Sequence, residues 1–162
     1  MKKQTTPLIA LVAGLMLAAC EQAPPPAPTQ SAVDISPAAA SPLDRKLDPQ
    51  QVARGLIVYE HHCASCHGAE GKGQPGDWRI RDAKGMYPPP PLDDSAHAWH
   101  HPTAVLLEAI RDGSPKGEGN MPGWKGKLTE QDMQDVAVYI KSLWSDQVYL
   151  MWLDIERRSL VP

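Results

Sequence analysis

The sequence contains no phenylalanine, and aromatic residues make up only 6% of its 162 residues. A chain of this length has room for one domain. Once the two ends are set aside, about 100 residues without phenylalanine can bury only a modest hydrophobic core. We therefore expect one small domain that needs a further source of stability.

An excess of positive charge is also missing. The chain has 16 Lys and Arg against 19 Asp and Glu. Removing residues 1–19, which hold two lysines and no acidic residue, leaves 14 against 19 and a net charge of −5. Nucleic-acid binding would need a basic face, so this balance gives no support for that class of function, and none is expected. A mildly acidic surface is compatible with docking to a basic partner protein.

Long hydrophobic runs are absent from the N-terminus. Two lysines at positions 2 and 3 precede an apolar run of 12 residues, Leu8 to Ala19, which is too short to span a bilayer. Residues 1–19 are therefore predicted to be an export signal. The run ends in a sequence that resembles the bacterial lipobox, which predicts that Cys20 is acylated and becomes the N-terminus. The alternative is an ordinary signal peptide cut slightly later, with Cys20 left as a free thiol.

Proline and alanine dominate the segment that follows. Six of each lie between Glu21 and Asp44, without helix or strand periodicity. Such a segment buries too little apolar surface to fold, so residues 20–46 are predicted to be a flexible tether. We expect the folded domain at residues 47–145 and an amphipathic C-terminal extension at residues 146–162.

Cysteine is scarce: the chain has three, and two of them, Cys63 and Cys66, are separated by only two residues. Cys63, Cys66 and His67 form C-x-x-C-H, the attachment signature of a c-type haem. The two thiols would bind the haem covalently, and His67 would be an axial ligand of its iron. The alternatives are a redox C-x-x-C beside a chance histidine, or half of a zinc site completed by other histidines. A thioredoxin-like motif should follow a strand, whereas the residues before Cys63 have helical spacing.

Helix signals recur along the domain, and the sequence shows no convincing strand and no internal repeat. Gly113 is a predicted helix end, and Gly55, in the middle of the first helix, indicates a close helix crossing. The glycine-rich stretch 68–94 is predicted to contain no regular element. Helix starts are predicted at Asp48-Pro49, Pro102 or Thr103, Thr129 with Asp132, and Ser145-Asp146.

The order of these parts resembles a monohaem class I cytochrome c over roughly residues 48–144. The resemblance implies an all-α fold of three to five short helices around one covalent haem, with long loops and crossing N- and C-terminal helices. It assigns Gly55, Tyr59 and Tyr139 to that crossing. It also implies that a proline carbonyl orients the axial histidine, with Pro91 as the best match. The separation of 24 residues between His67 and Pro91 is unusually long for this family.

The sixth iron ligand is predicted to be Met121, which is followed by proline in a glycine-rich loop. A thioether suits low-spin iron and raises the reduction potential relative to a second histidine. Met133 lies on an apolar helix stripe and is predicted to be a core residue, while Met86 remains an alternative. A histidine ligand is the other alternative, although the three candidates are equally explained as polar surface or as a helix cap: His97, His100 and His101.

These features favour an electron carrier rather than an enzyme, because the sequence shows no nucleophile, substrate-pocket motif or second cofactor motif. The alternatives are a haem enzyme or gas-binding module with a labile sixth ligand, and a haem relay subunit of a respiratory or dehydrogenase complex. We expect a monomer with redox protein partners, held at a bacterial membrane through lipid on Cys20. The location would be the periplasm. Glu21 in place of aspartate favours the outer membrane over the inner membrane.

Overall fold

The chain is helical over the residues that the computed structural model describes, 43–161. The predicted signal, Cys20 and nearly all of the tether lie outside this range. Within it, pairing between extended segments is limited to isolated bridges. The predicted all-α fold is confirmed. Two short 3-10 helices, Ala69–Gly71 and Ala98–His100, accompany five α-helices: α1 Pro49–His62, α2 Ala64–His67, α3 Thr103–Asp112, α4 Glu130–Ser142 and α5 Asp146–Ser159.

Capping side chains determine where the main helices begin. The Asp48 carboxylate accepts a hydrogen bond from the Gln50 N–H at 2.9 Å, at the start of α1. At the start of α4, the Thr129 hydroxyl accepts from the Asp132 N–H at 3.0 Å, and the Asp132 carboxylate accepts from the Thr129 N–H at 3.0 Å. These bonds satisfy amides that have no partner inside the helix. The predicted starts are confirmed, including the Ser145 cap of α5.

The first and fourth helices cross with their backbones in contact. A Cβ atom on Gly55 would overlap the Asp135 carbonyl and would lie 2.8 Å from the Cβ of Tyr139. The rings of Tyr59 and Tyr139 pack beside this point with their centroids 5.0 Å apart. The Arg54 Nε–H donates to the buried Asp135 carboxylate at 2.7 Å. The close crossing predicted from Gly55 is therefore confirmed.

The last helix packs into the same core as the others, so the predicted extension at 146–162 does not stand apart from it. Trp152 of α5 packs against Trp144, in the turn that follows α4, with the ring centroids 5.7 Å apart. At its start, Asp146 accepts a hydrogen bond from Arg45 Nε at 2.8 Å. Within 43–161, no helix has the length and apolar character that a membrane span requires. The buried residues of α5 are Val148, Tyr149 and Trp152.

The stretch 68–94 runs from the end of α2 towards the second 3-10 helix, Ala98–His100. The expectation that it lacks regular structure is wrong at its first turn, which is the 3-10 helix Ala69–Gly71. Glycines with positive φ begin and end that turn, at Gly68 (φ 79°) and Gly71 (φ 71°). The Gly71 carbonyl then accepts from the Leu92 N–H at 2.7 Å. The indole N–H of Trp144 donates to the Leu92 carbonyl at 2.9 Å, which ties the end of the stretch to the core.

We expect Gly55→Ala to destabilise the protein, by about 1–3 kcal/mol in the free energy of unfolding, because the new methyl group would overlap the Asp135 backbone. The measurement is denaturant unfolding of the holoprotein. At an uncrowded helix position the same change would stabilise by about 1 kcal/mol. The sign of the effect therefore tests the crossing, and Ala53→Ser, at an exposed position of the same helix, is the control.

Candidate functional site

A cavity of about 790 Å³ is bounded by the α1–α2 junction, the stretch 68–94, α3 and the loop after α3. Its wall is mainly apolar, and α3 contributes Leu106 and Ala109. The four residues predicted to bind the cofactor all line this one cavity, although they come from separate parts of the chain: Cys63, Cys66, His67 and Met121.

The two cysteines and the histidine are positioned by the junction of α1 and α2. The Cys63 N–H donates to the Tyr59 carbonyl at 2.8 Å and so ends α1. The Cys63 carbonyl accepts from the N–H groups of Cys66 at 3.0 Å and of His67 at 2.9 Å, which winds the next turn. Cys63 is half-buried and Cys66 is exposed, and neither forms a disulfide. All three side chains of the motif therefore lie within one turn at the end of a rigid helix.

The Cys63 thiol is in an environment that favours its neutral form. Burial raises the pKa of this thiol to about 11, and the nearby Cys66 adds to the effect. Reactive redox cysteines instead have a lowered pKa, because the thiolate is the nucleophile. The residues before Cys63 are helical rather than a strand. Both observations disfavour the thioredoxin-like interpretation of the motif.

His67 is held in one tautomer. Its side chain is buried, and its Nδ1 lies 2.8 Å from the carbonyl oxygen of Pro90. A carbonyl only accepts hydrogen bonds, so Nδ1 carries the proton and Nε2 keeps a free lone pair. Burial lowers the pKa of the imidazole, with the Pro90 bond acting in the opposite direction. The geometry is that of a metal-binding histidine whose orientation is set by a backbone carbonyl.

The carbonyl belongs to Pro90, so the expectation of Pro91 is wrong by one residue. Four prolines in a row have no N–H, and nothing in their sequence selects one carbonyl over the next. The register is determined by the first donor after the run, the Leu92 N–H, which bonds the Gly71 carbonyl. Pro91 instead packs against Gly73, where a Cβ atom would lie 2.8 Å from the Pro91 Cγ.

Met121 is half-buried on the cavity wall, in the loop that follows α3. Its N–H donates to the Ser114 hydroxyl at 3.2 Å, and its carbonyl accepts from the Ser114 N–H at 3.0 Å. Met133 is 1% exposed in the core, as predicted. Met86 closes a turn with Asp82, whose N–H donates to the Met86 carbonyl at 2.8 Å. Of these three methionines, only Met121 lines the cavity.

The interpretation of the histidines as polar surface or a helix cap is wrong for His97 and His101. Both line the cavity, and the His97 ring stacks on Trp78 with centroids 4.9 Å apart. The first amide of α3, that of Thr103, donates instead to the Glu156 carboxylate at 2.6 Å. The cap comes from α5, more than fifty residues away, and no local pattern signals it.

The donor set and the cavity fit a covalently bound haem. Two thiols lie on one turn, one imidazole has an unprotonated Nε2, and a thioether lies in the same apolar cavity. The fit does not select a single sixth ligand by itself, since three further histidines, His62, His97 and His101, line the cavity with Met121.

Comparison with known proteins agrees with this geometry. Residues 50–140 match the family described as cytochrome C oxidase, cbb3-type, subunit III. No solved structure gives a significant match.

Curated relatives include two subunits CcoP of cbb3-type cytochrome c oxidase. The one from Azospirillum sp. (strain B510) is 29% identical, over 59% of this chain and 30% of the relative. The one from Cereibacter sphaeroides is 32% identical, over 56% of this chain and 27% of the relative. A thiosulfate dehydrogenase from Stutzerimonas stutzeri (strain A1501) is 34% identical, over 56% of this chain and 27% of the relative. The chain thus spans less than a third of the length of these relatives.

The family match covers more than half of the chain and includes α1, the C-x-x-C-H motif, the Met121 loop and most of α4. The predicted cytochrome c fold and the haem c cofactor are confirmed by it. With its crossing helices and its apolar cavity beside the cysteine motif, this chain belongs to the c-type cytochrome family of the cbb3-type oxidase subunit III, and its cofactor is covalently attached haem c.

Proposed function

We propose that this protein is a membrane-tethered periplasmic cytochrome that passes single electrons between redox protein partners. Bound haem c supplies reversible one-electron chemistry. The observation that carries the proposal is the convergence of Cys63, Cys66, His67 and Met121 on one cavity. In the proposed site the two thiols would hold the cofactor covalently, and the imidazole and the thioether would bind its iron.

This pair of ligands favours electron transfer over catalysis. If His67 and Met121 both bind the iron, a small molecule would find no free position on it. The Pro90 carbonyl keeps the His67 ring in one orientation, so this ligand does not need to rearrange when the charge of the site changes. Cys66 is exposed, so haem attached to it would be close to the protein surface, where a partner could approach. These features suit a carrier.

A lipid anchor and a flexible tether would keep the folded domain close to the membrane. Lipid on Cys20 would hold the chain at the membrane. The 24 residues from Glu21 to Asp44 would reach roughly 75 Å if fully extended as polyproline, and roughly 27 Å as a coil. Either length lets the folded domain search a membrane surface for partners. Glu21 in place of aspartate favours the outer membrane.

A second candidate function is a haem relay within a larger complex. The names of the relatives favour it, because several are subunits of cbb3-type oxidases and one is a thiosulfate dehydrogenase. The two candidates differ in their expected behaviour during purification. A relay subunit should co-migrate with a membrane complex in mild detergent at stoichiometric amounts, whereas a free carrier should migrate alone.

We expect the double variant Cys63→Ala, Cys66→Ala to lose covalent attachment, since no other described cysteine is available. The measurement is extraction into acidified organic solvent: the variant's haem should enter the organic phase, and wild-type haem should stay with the protein. Ser65→Ala, between the two cysteines, is the matched control and should retain its haem. Covalent haem in the double variant would refute the attachment site.

We expect Met121→Ala to lower the reduction potential, because axial ligation sets the potential of haem proteins over a range of about 0.8 V. The variant should also lose the Met-to-iron charge-transfer band of the ferric state and gain binding of carbon monoxide in the ferrous state. Potentiometry measures the reduction potential, and optical spectra measure the charge-transfer band and the binding of carbon monoxide.

Met133→Ala is the control for that variant. It should cost roughly 2–5 kcal/mol of stability through a core cavity while leaving the spectrum unchanged. An unchanged spectrum in Met121→Ala would direct attention to His97 and His101. Ready binding of carbon monoxide by the wild type would favour the gas-binding or enzymatic alternative over the carrier.

We expect Cys20→Ser to release the cytochrome into the soluble periplasmic fraction or to stall its processing. One acyl chain gives only marginal binding, whereas the several chains of a lipoprotein hold firmly, at about 0.8 kcal/mol for each buried methylene. Fractionation with a high-salt wash makes the measurement, and Ser31→Ala in the tether is the control. A processed Cys20→Ser protein that stays on the membrane after the wash would argue against the lipid anchor.

A further inference from the structure

We propose that Arg81 is a positioning residue that holds the Met121 loop closed over the cavity. It lies in the unusually long stretch between His67 and the proline run. The inference rests on the proposed role of Met121 as sixth ligand. The stretch between His67 and the proline run is where this chain departs from the class I cytochrome pattern.

The guanidinium of Arg81 joins the long stretch to the Met121 loop. Its Nη1 donates to the carbonyl of Gly85, in its own stretch, at 2.7 Å. The same nitrogen donates to the carbonyl of Gly117, in the Met121 loop, at 2.9 Å. Its Nη2 lies 3.4 Å from the Glu118 carboxylate. A planar guanidinium presents several donors in a fixed arrangement and can bridge two backbone segments in this way.

Tyr87 strengthens the same junction. The Arg81 guanidinium lies over the Tyr87 ring, 4.0 Å from its centroid. The Tyr87 N–H donates to the Glu118 carbonyl at 3.0 Å, and Tyr87 pairs with Gly119 in an isolated parallel bridge. We call these five residues the Arg81 cluster: Arg81, Gly85, Tyr87, Gly117 and Glu118.

The cluster is connected to Met121 through Gly119 and Ser114. Gly119 is two residues before Met121, and a Cβ on Gly119 would lie 2.8 Å from the Ser114 hydroxyl oxygen. Ser114 in turn bonds the Met121 backbone twice: its hydroxyl accepts from the Met121 N–H, and its N–H donates to the Met121 carbonyl. The cavity wall includes Tyr87, Glu118 and Met121. Displacement of residues 117–119 would therefore loosen the part of the loop that holds the thioether.

The carbonyl contacts and the stacking carry this role, rather than the ion pair. The side chains of Arg81 and Glu118 are 41% and 56% exposed, and exposed ion pairs contribute little. A lysine at position 81 would keep the charge but not the forked donors. Comparing Arg81→Lys with Arg81→Ala therefore separates the effect of charge from that of donor geometry.

The test is imidazole binding to the ferric holoprotein, followed by its optical spectrum, because imidazole enters only when Met121 leaves the sixth position. We expect Arg81→Ala to raise the apparent affinity for imidazole roughly tenfold, the factor expected from losing one such hydrogen bond. Its Met-to-iron charge-transfer band should weaken. Arg81→Lys should fall between this variant and the wild type.

Lys84→Ala is the matched control, since it removes one positive charge from the same stretch while the backbone contact of Lys84 with Asp82 remains. It should bind imidazole like the wild type. Equal affinities for Arg81→Ala and Lys84→Ala would overturn the inference. If Arg81→Ala does not fold, wild-type affinity in Arg81→Lys together with an undiminished charge-transfer band would overturn it.

Met121→Ala distinguishes failure of this inference from failure of the proposed ligand. A Met121→Ala spectrum identical to that of the wild type would show that Met121 is not the ligand, and the inference would fall with it. A changed Met121→Ala spectrum with no effect of Arg81→Ala would leave the ligand in place and overturn the role of Arg81 alone.

Discussion

Backbone contact between α1 and α4 at Gly55 is the constraint on which the rest of the site depends. α1 runs from Pro49 to His62 without interruption, and Cys63 follows at once. The angle and depth at which α1 crosses α4 therefore set the position of the cysteines and of His67. A side chain at position 55 would separate the helices and move the C-x-x-C-H turn away from the Pro90 carbonyl.

Part of the cavity wall consists of loops, whose regular backbone hydrogen bonds are limited to short 3-10 turns and isolated bridges. Side-chain donors that bond to loop carbonyls add to these. The Tyr59 hydroxyl donates to the Gly68 carbonyl at 2.8 Å, and the Trp144 indole donates to Leu92 at 2.9 Å. Arg81 does the same for Gly85 and Gly117. Each donor connects a loop to the core or to another loop, so the loops hold ligands in place without forming a sheet.

The missing phenylalanine is compensated by tryptophan and tyrosine. Trp144, in the turn between α4 and α5, forms one packed group with Tyr149 and Trp152 of α5, with adjacent ring centroids 5.0 and 5.7 Å apart. Apolar side chains such as Leu92, Val105 and Leu106 line the cavity and would contact bound haem. Haem therefore serves both as the electron site and as part of the core, which accords with the small size of the domain.

The sequence by itself determined whatever depends on neighbouring residues. The C-x-x-C-H motif is contiguous, so it identified the cofactor. The helix starts followed from caps such as Asp48 and Thr129, which bond amides only two or three residues away. Gly55 marked the crossing because a mid-helix glycine has few other reasons to be there.

Only the tertiary structure decided what depends on distant partners. The carbonyl that orients His67 belongs to Pro90 because Leu92 bonds Gly71, a contact that a run of identical prolines does not encode. His97 faces the cavity because its ring stacks on Trp78, 19 positions earlier in the chain. Such contacts join residues far apart along the chain, and their geometry exists only once the helices have packed.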